Sequence, residues 1–177
     1  RKEVIQKLTR EDFLKYRGAH YVAKATAVIV AGAFEADVFS KKIEKAFAHI
    51  PAGEKSGKVK TDDRQEKPQM TIKYKKSDQT HLVIGCRAFP VTDKRRYALD
   101  VLTDVLGGGM SSRLFQRVRE QMGAAYYVRA GAELLTDHGY FEVSAGVEHG
   151  KLEPVIKAIL EELKKTADAP VPAHELA

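Results

Sequence analysis

The run LGGGMSSRLFQRVREQMGAAYY, from Leu106 to Tyr127, constrains this chain more than any other segment. It joins a glycine-rich turn to a short amphipathic helix over 111–122, which Gly123 is placed to end with a left-handed residue before an aromatic strand begins. At about 100° per residue, Leu114, Phe115, Val118 and Met122 share one arc and face the core. Arg113, Arg117 and Glu120 fall on the opposite, solvated side. Arg119 lies just beyond the apolar arc, beside Phe115 and Met122 at helical spacings of four and three. Its stem is held by packing while its guanidinium fork is free to be aimed at an oxygen.

Tyr126 follows Arg119 by seven positions, on the first part of the next strand. A guanidinium and a phenol fixed at one corner could grip a single carbonyl oxygen. The competing reading is structural: Tyr126 alternates in phase with Val128, Ala130, Ala132 and Leu134, as a core tyrosine would. Gly107, Gly108 and Gly109 also carry two readings. Backbone N–H groups before a helix bind phosphate, but neither the P-loop lysine nor dinucleotide glycine spacing is present, and a helix precedes them. A flexible or peptide-accommodating turn between two helices is the preferred reading.

Thr9 and Asp12 predict a capped helix over 10–20. The β-branched run 26–34 predicts a strand, and residues 35–49 a helix closed by Pro51. Residues 51–68 are polar and form the one candidate linker, read as a long surface connection within a single domain covering 1–177. Strands are expected at 70–76 and 80–89, joined as a hairpin through Ser77, Asp78 and Gln79. A helix capped by Asp93 then runs from 94 to about 106. A second hairpin, 124–135 with 139–147, turns at Thr136, Asp137 and His138, and a last helix spans 150–166. Hairpins without steady β-α-β alternation predict an α+β fold: a mostly antiparallel sheet with helices packed on one face.

With 177 residues, 44% of them hydrophobic, the chain is long enough for a real core. No apolar run reaches the roughly 20 residues of a membrane span. The net charge of +6 invites a nucleic-acid reading. Acidic residues interleave with the lysines of 54–67, however, and no nucleic-acid-binding motif is present, so a solvated basic surface is expected instead. Cys86, the single cysteine, is read as a buried strand residue. The six histidines show no ligand spacing, neither HExxH nor HxxEH occurs, and Asp137–His138 reads as an ordinary surface turn. No metal ligand is assigned. The chain reads as a piece of a longer polypeptide, with its compartment not legible.

Three segments, LTREDFLKYRGAHYVAKATAVIVAGAF, QTHLVIGCRAFP and VLGGGMSSRLFQRVREQMGAAYYV, resemble the insulinase/pitrilysin family of zinc metallopeptidases, including bacterial processing-peptidase-like members. The similarity covers about residues 8–177, and the third segment is the most specific. It corresponds to the C-terminal-type domain, not to the one that binds metal. In that family zinc is held elsewhere, by HxxEH and a distant glutamate, and the motif's glutamate activates the metal-bound water. An arginine and a tyrosine with six residues between them contact substrate across a closed chamber, and Arg119 and Tyr126 match that spacing. The resemblance implies a substrate-contacting domain of a zinc endopeptidase, inactive alone. Its partner would be a zinc-bearing N-terminal domain or subunit, in a dimer or two-half chamber. The same fold also serves non-catalytic structural or interaction subunits.

Overall fold

The computed structural model describes residues 2–62 and 64–176. They divide into two compact units, one through Val59 and one from Lys60 onward, with the division inside the polar stretch 51–68.

The first unit is helical: α1 (Lys2–Lys7), α2 (Arg10–His20) and α3 (Ala36–Phe47). The predicted cap of α2 is present in full. Asp12 N–H donates to Thr9 Oγ1 at 3.4 Å, and Thr9 N–H donates to Asp12 Oδ2 at 2.9 Å. Residues 51–56 fold back on the end of α2. Ala23 N–H donates to the Pro51 carbonyl at 2.9 Å, and His20 Nδ1 lies 2.8 Å from the Ser56 hydroxyl. Val22 is the buried residue at that junction. The strand expected at 26–34 is not formed: among the described residues of this unit no ladder partner stands beside it, and Ile29 is 91% exposed. A β-branched run sets a preference for extended backbone, but only a partner makes a strand.

The second unit holds the sheet. β1 (Thr80–Ala88), β2 (Ala125–Leu134) and β3 (Gly139–Val147) are all antiparallel to their neighbours, in the order β1-β3-β2. β2 and β3 form the hairpin expected at 136–138, closed by Leu135 N–H donating to the His138 carbonyl at 2.8 Å. The expected hairpin of 70–76 with 80–89 is absent, and β1 instead pairs with β3. Its intended turn is committed elsewhere. His149 Nε2 donates to the Ser77 carbonyl at 2.9 Å, and the Ser77 hydroxyl bonds the Gln79 carbonyl at 2.8 Å. These bonds tie the entry to β1 to the far end of β3 rather than to a folded-back strand.

α4 (Arg96–Gly107) and α5 (Leu152–Asp168) pack on the sheet together with a helical segment, Phe115–Gln121. Along β3, Phe141, Val143, Ala145 and Val147 are buried, while Tyr140, Glu142 and Ser144 alternate with them on the less covered face. Leu106, Leu114, Val118, Val155 and Ile159 complete a core of fully buried side chains. Each contributes roughly 1.5–3 kcal/mol of transfer free energy. The architecture is the expected α+β arrangement. Cys86 departs from its expected burial: it is exposed on β1, at the margin of the sheet beside Arg87.

The helix expected at 111–122 is wound as a π-helix over Phe115–Gln121, with Met122 N–H reaching the Arg117 carbonyl at 3.0 Å. Leu114, Phe115, Val118 and Met122 do turn inward. Arg113 and Arg117 do not face solvent. Arg113 donates to Glu175 at 2.7 and 3.0 Å, and Arg117 pairs with Glu161 and, at 2.6 Å, with Glu162. The wider turn shifts residues from their 100° positions, and acids on α5 and near the C-terminal end meet them there.

Candidate functional site

Gly123, at φ +53°, ends the π-helix as expected, and the Ala124 N–H closes the turn on the Val118 carbonyl at 3.1 Å. This corner delivers the chain into β2 with one residue to spare. Ala125 pairs with Val147 and Tyr127 with Gly146, so Tyr126 is the extra residue of a β-bulge. The bulge overturns the core-tyrosine reading. Tyr126 is 64% exposed and its hydroxyl makes no hydrogen bond among the described residues, whereas Val128, two positions on, is buried. Simple alternation fails at this position because the ladder changes phase.

Arg119 stands over the Phe115 ring, its guanidinium carbon 4.8 Å from the ring centroid. The ring fixes the cation's stem while its N–H groups stay open: no ion pair or hydrogen bond engages them among the described residues. Arg119 and the glycine triplet line one groove of about 440 Å³, together with Met110, Tyr127 and Arg129. Arg119 and Gly107, Gly108 and Gly109, each a candidate from the sequence, thus lie at one concavity. Tyr126 is not part of its lining; the neighbouring Tyr127 is.

The three glycines play different parts. A side chain at Gly107 would strike the backbone of Arg129 and Ala130, with Ala130 Cβ only 2.8 Å away, so the end of α4 abuts β2 directly. A side chain at Gly108 would strike Asp104 on the preceding turn of α4, whereas Gly109 faces open space. Tyr127 and Arg129 were not singled out by sequence pattern, although they alternate on the face opposite Val128. Tyr127 packs against Gly146 and shares a hydrogen bond with His81 of β1, while Arg129 stands opposite Ser144.

A second concavity, lined by Arg113, Arg117, Glu162 and Lys165, is internally neutralised. Glu162 is nearly buried there. Burial works against its charged form, but Lys165 and Arg117 together hold its carboxyl below the ordinary range. This is a structural ion network rather than a receptive one.

Asp137 and His138 are more than a surface turn. Thr61 N–H donates to Asp137 Oδ2 at 3.1 Å, and Thr61 Oγ1 lies 3.0 Å from His138 Nδ1. The bond from His138, followed by that from the Thr61 backbone, lowers the Asp137 carboxyl to about 2.

No group of three or more His, Cys, Asp or Glu side chains among the described residues could hold a metal ion. His20, His81, His138 and His149 are each engaged by a hydroxyl or a carboxylate within the fold. The donors present do not fit a zinc site. No helix among the described residues is long and apolar enough to cross a membrane.

A family model described as the peptidase M16 inactive domain matches residues 7–177. The chain belongs to this family. Among relatives of this inactive domain, an uncharacterized zinc protease of Rickettsia bellii is 32% identical over 94% of the chain, which spans 40% of that relative. One from Bacillus subtilis is 33% identical over 91% of the chain, which spans 39% of it. The fold matches a protease from Helicobacter pylori at a TM-score of 0.82, with 22% identity, covering 97% of this chain and 42% of that one. It also matches a peptidase M16 inactive domain from Pseudomonas fluorescens at 0.80, with 20% identity and coverages of 96% and 41%. The insulinase-like peptidase family expected from the sequence is thereby established.

Proposed function

We propose that this inactive domain is the substrate-contacting part of a zinc-dependent endopeptidase. Arg119 and Tyr126 bind and orient a peptide carbonyl, and the metal is held by a separate zinc-bearing domain or subunit. Of the three glycines that line the groove, Gly109 faces open space and leaves room for the peptide backbone, while Gly107 and Gly108 let the end of α4 pack closely beside it. The metal's chemistry belongs to the other domain, and the contribution of this chain is to bind and to aim hydrogen bonds.

The observation that carries this reading is the open guanidinium of Arg119. It is braced on Phe115 and lines the glycine groove, while the neighbouring Arg113 and Arg117 are consumed by ion pairs. The relatives' names as zinc proteases add support. Tyr126, set outside the ladder by the bulge, has a free hydroxyl on the element that follows Arg119. The test is Arg119→Ala in the complete peptidase, which is expected to lower turnover about a hundred- to thousandfold with zinc content unchanged. Turnover equal to wild type would refute the role. The alternative reading, a non-catalytic interaction subunit of the same fold, is favoured by the family's description as an inactive domain. It predicts a folded complex in which Arg119→Ala changes nothing.

A further inference from the structure

Arg129 lines the same groove as Arg119, from the β2 position paired with Ser144. Its guanidinium makes no ion pair or hydrogen bond among the described residues. Its cross-strand partner is Ser144, and the diagonal Glu142 does not engage it. Among the described residues no acidic side chain lines the groove: besides the two arginines it presents glycines, Met110, Phe115, Tyr127, Val128 and Ala130. The neighbouring concavity of Arg113, Arg117 and Lys165 differs in carrying its own acid, Glu162. One groove is therefore neutralised by the fold, while the other is lined by two arginines with no counterion for them among the described residues.

We propose that Arg129 is a specificity-determining residue, taking a carboxylate of the bound peptide while Arg119 takes a backbone carbonyl. This inference rests on the peptide-binding reading above and names the substrate class that follows from it. A guanidinium pairs with a carboxylate through two parallel N–H···O bonds, a geometry a neutral amide does not reproduce. With no acid among the described lining residues, the fork is available to the substrate. Close packing of Gly107 against the backbone of Arg129 and Ala130 holds this part of β2 against the end of α4, so the cation stands on a fixed strand. The carboxylate has two sources, an Asp or Glu side chain or the peptide's own C-terminus.

The test compares the complete peptidase on matched peptides: Glu against Gln at each position near the cleaved bond with the C-terminus amidated, and free acid against amide with no acidic side chain. The wild type is expected to favour one carboxylate. In Arg129→Gln the corresponding kcat/KM ratio falls about five- to tenfold, through KM rather than kcat, and the wild-type preference weakens as salt is added. Arg129→Glu should invert the ratio toward a Lys peptide. Loss of the Glu/Gln preference identifies a side-chain carboxylate, and loss of the acid/amide preference identifies the terminus. Unchanged ratios in both arms overturn the proposal. Arg119→Ala separates the two levels. If it depresses all peptides while Arg129→Gln leaves the ratios intact, only the Arg129 inference fails; if Arg119→Ala is also silent, the peptide-binding reading fails with it.

Discussion

The Tyr127 hydroxyl lies 3.1 Å from Nδ1 of His81, with β3 running between the two strands that carry them. Tyr127 is thus tied into the sheet, while Tyr126 beside it is set free by the bulge. The two adjacent phenols should respond oppositely to loss of the hydroxyl. Tyr127→Phe is expected to cost about 1 kcal/mol of stability, measured by urea unfolding. Tyr126→Phe should leave stability within about 0.5 kcal/mol and lower turnover of the complete peptidase. A Tyr126→Phe enzyme with unaltered kinetics would remove Tyr126 from the proposed pair.

Arg119→Lys keeps the charge but loses the planar fork. It is expected to remain impaired in turnover, because a point charge on a flexible stem neither stacks on Phe115 nor donates two parallel bonds. Full rescue by lysine would show that charge alone suffices.

Gly123→Ala isolates a backbone effect. An added Cβ at Gly123 meets nothing within 4 Å, yet φ is +53°. The left-handed conformation should cost about 1–2 kcal/mol, and Gly123→Asn less. Equal stability of the alanine variant in denaturant titration would contradict the observed turn.

Arg117→Met removes one partner of the nearly buried Glu162 and leaves Lys165 as the other. A loss of about 1–3 kcal/mol is expected, with partial recovery in the double variant Arg117→Met, Glu162→Gln. Additive losses would mean that the two side chains are not coupled.

The anchor of Thr61 on Asp137 should fail in acid. Folding lowers the Asp137 carboxyl from 3.8 to about 2, so the stabilisation is fully present above pH 3.8 and is lost as pH falls toward 2. Hydrogen exchange at the Thr61 amide and the Asp137 carboxyl shift should both report this window. A midpoint at 3.8 or above would show that the anchor does not form.

Much of the second unit was legible because it depends on local periodicity. The inward arc of Leu114, Phe115, Val118 and Met122, the end at Gly123 and the β2–β3 hairpin each follow from neighbours in sequence. What escaped depended on partners far along the chain. Arg113 and Arg117 read as solvated until Glu175, Glu161 and Glu162 met them. Residues 70–76 have a strand's alternation but no ladder, since the Ser77 carbonyl is held by His149 just beyond β3 and its hydroxyl by the Gln79 carbonyl. Tyr126 read as core because period two assumes an uninterrupted register, and one extra residue breaks it. At the candidate site, Arg119 was visible from helical phase. Arg129 was not, because a strand arginine with no acid opposite it is recognisable only once the opposite strand is known.

The bulge also separates two demands that a strand normally joins. A residue inside a ladder must suit either the apolar face or the wet face, and its neighbours restrict its shape. Tyr126 belongs to neither row. Its side chain can be exchanged without refitting the sheet, so the position is a point of low mechanical cost where binding chemistry can be altered while the architecture stays as it is.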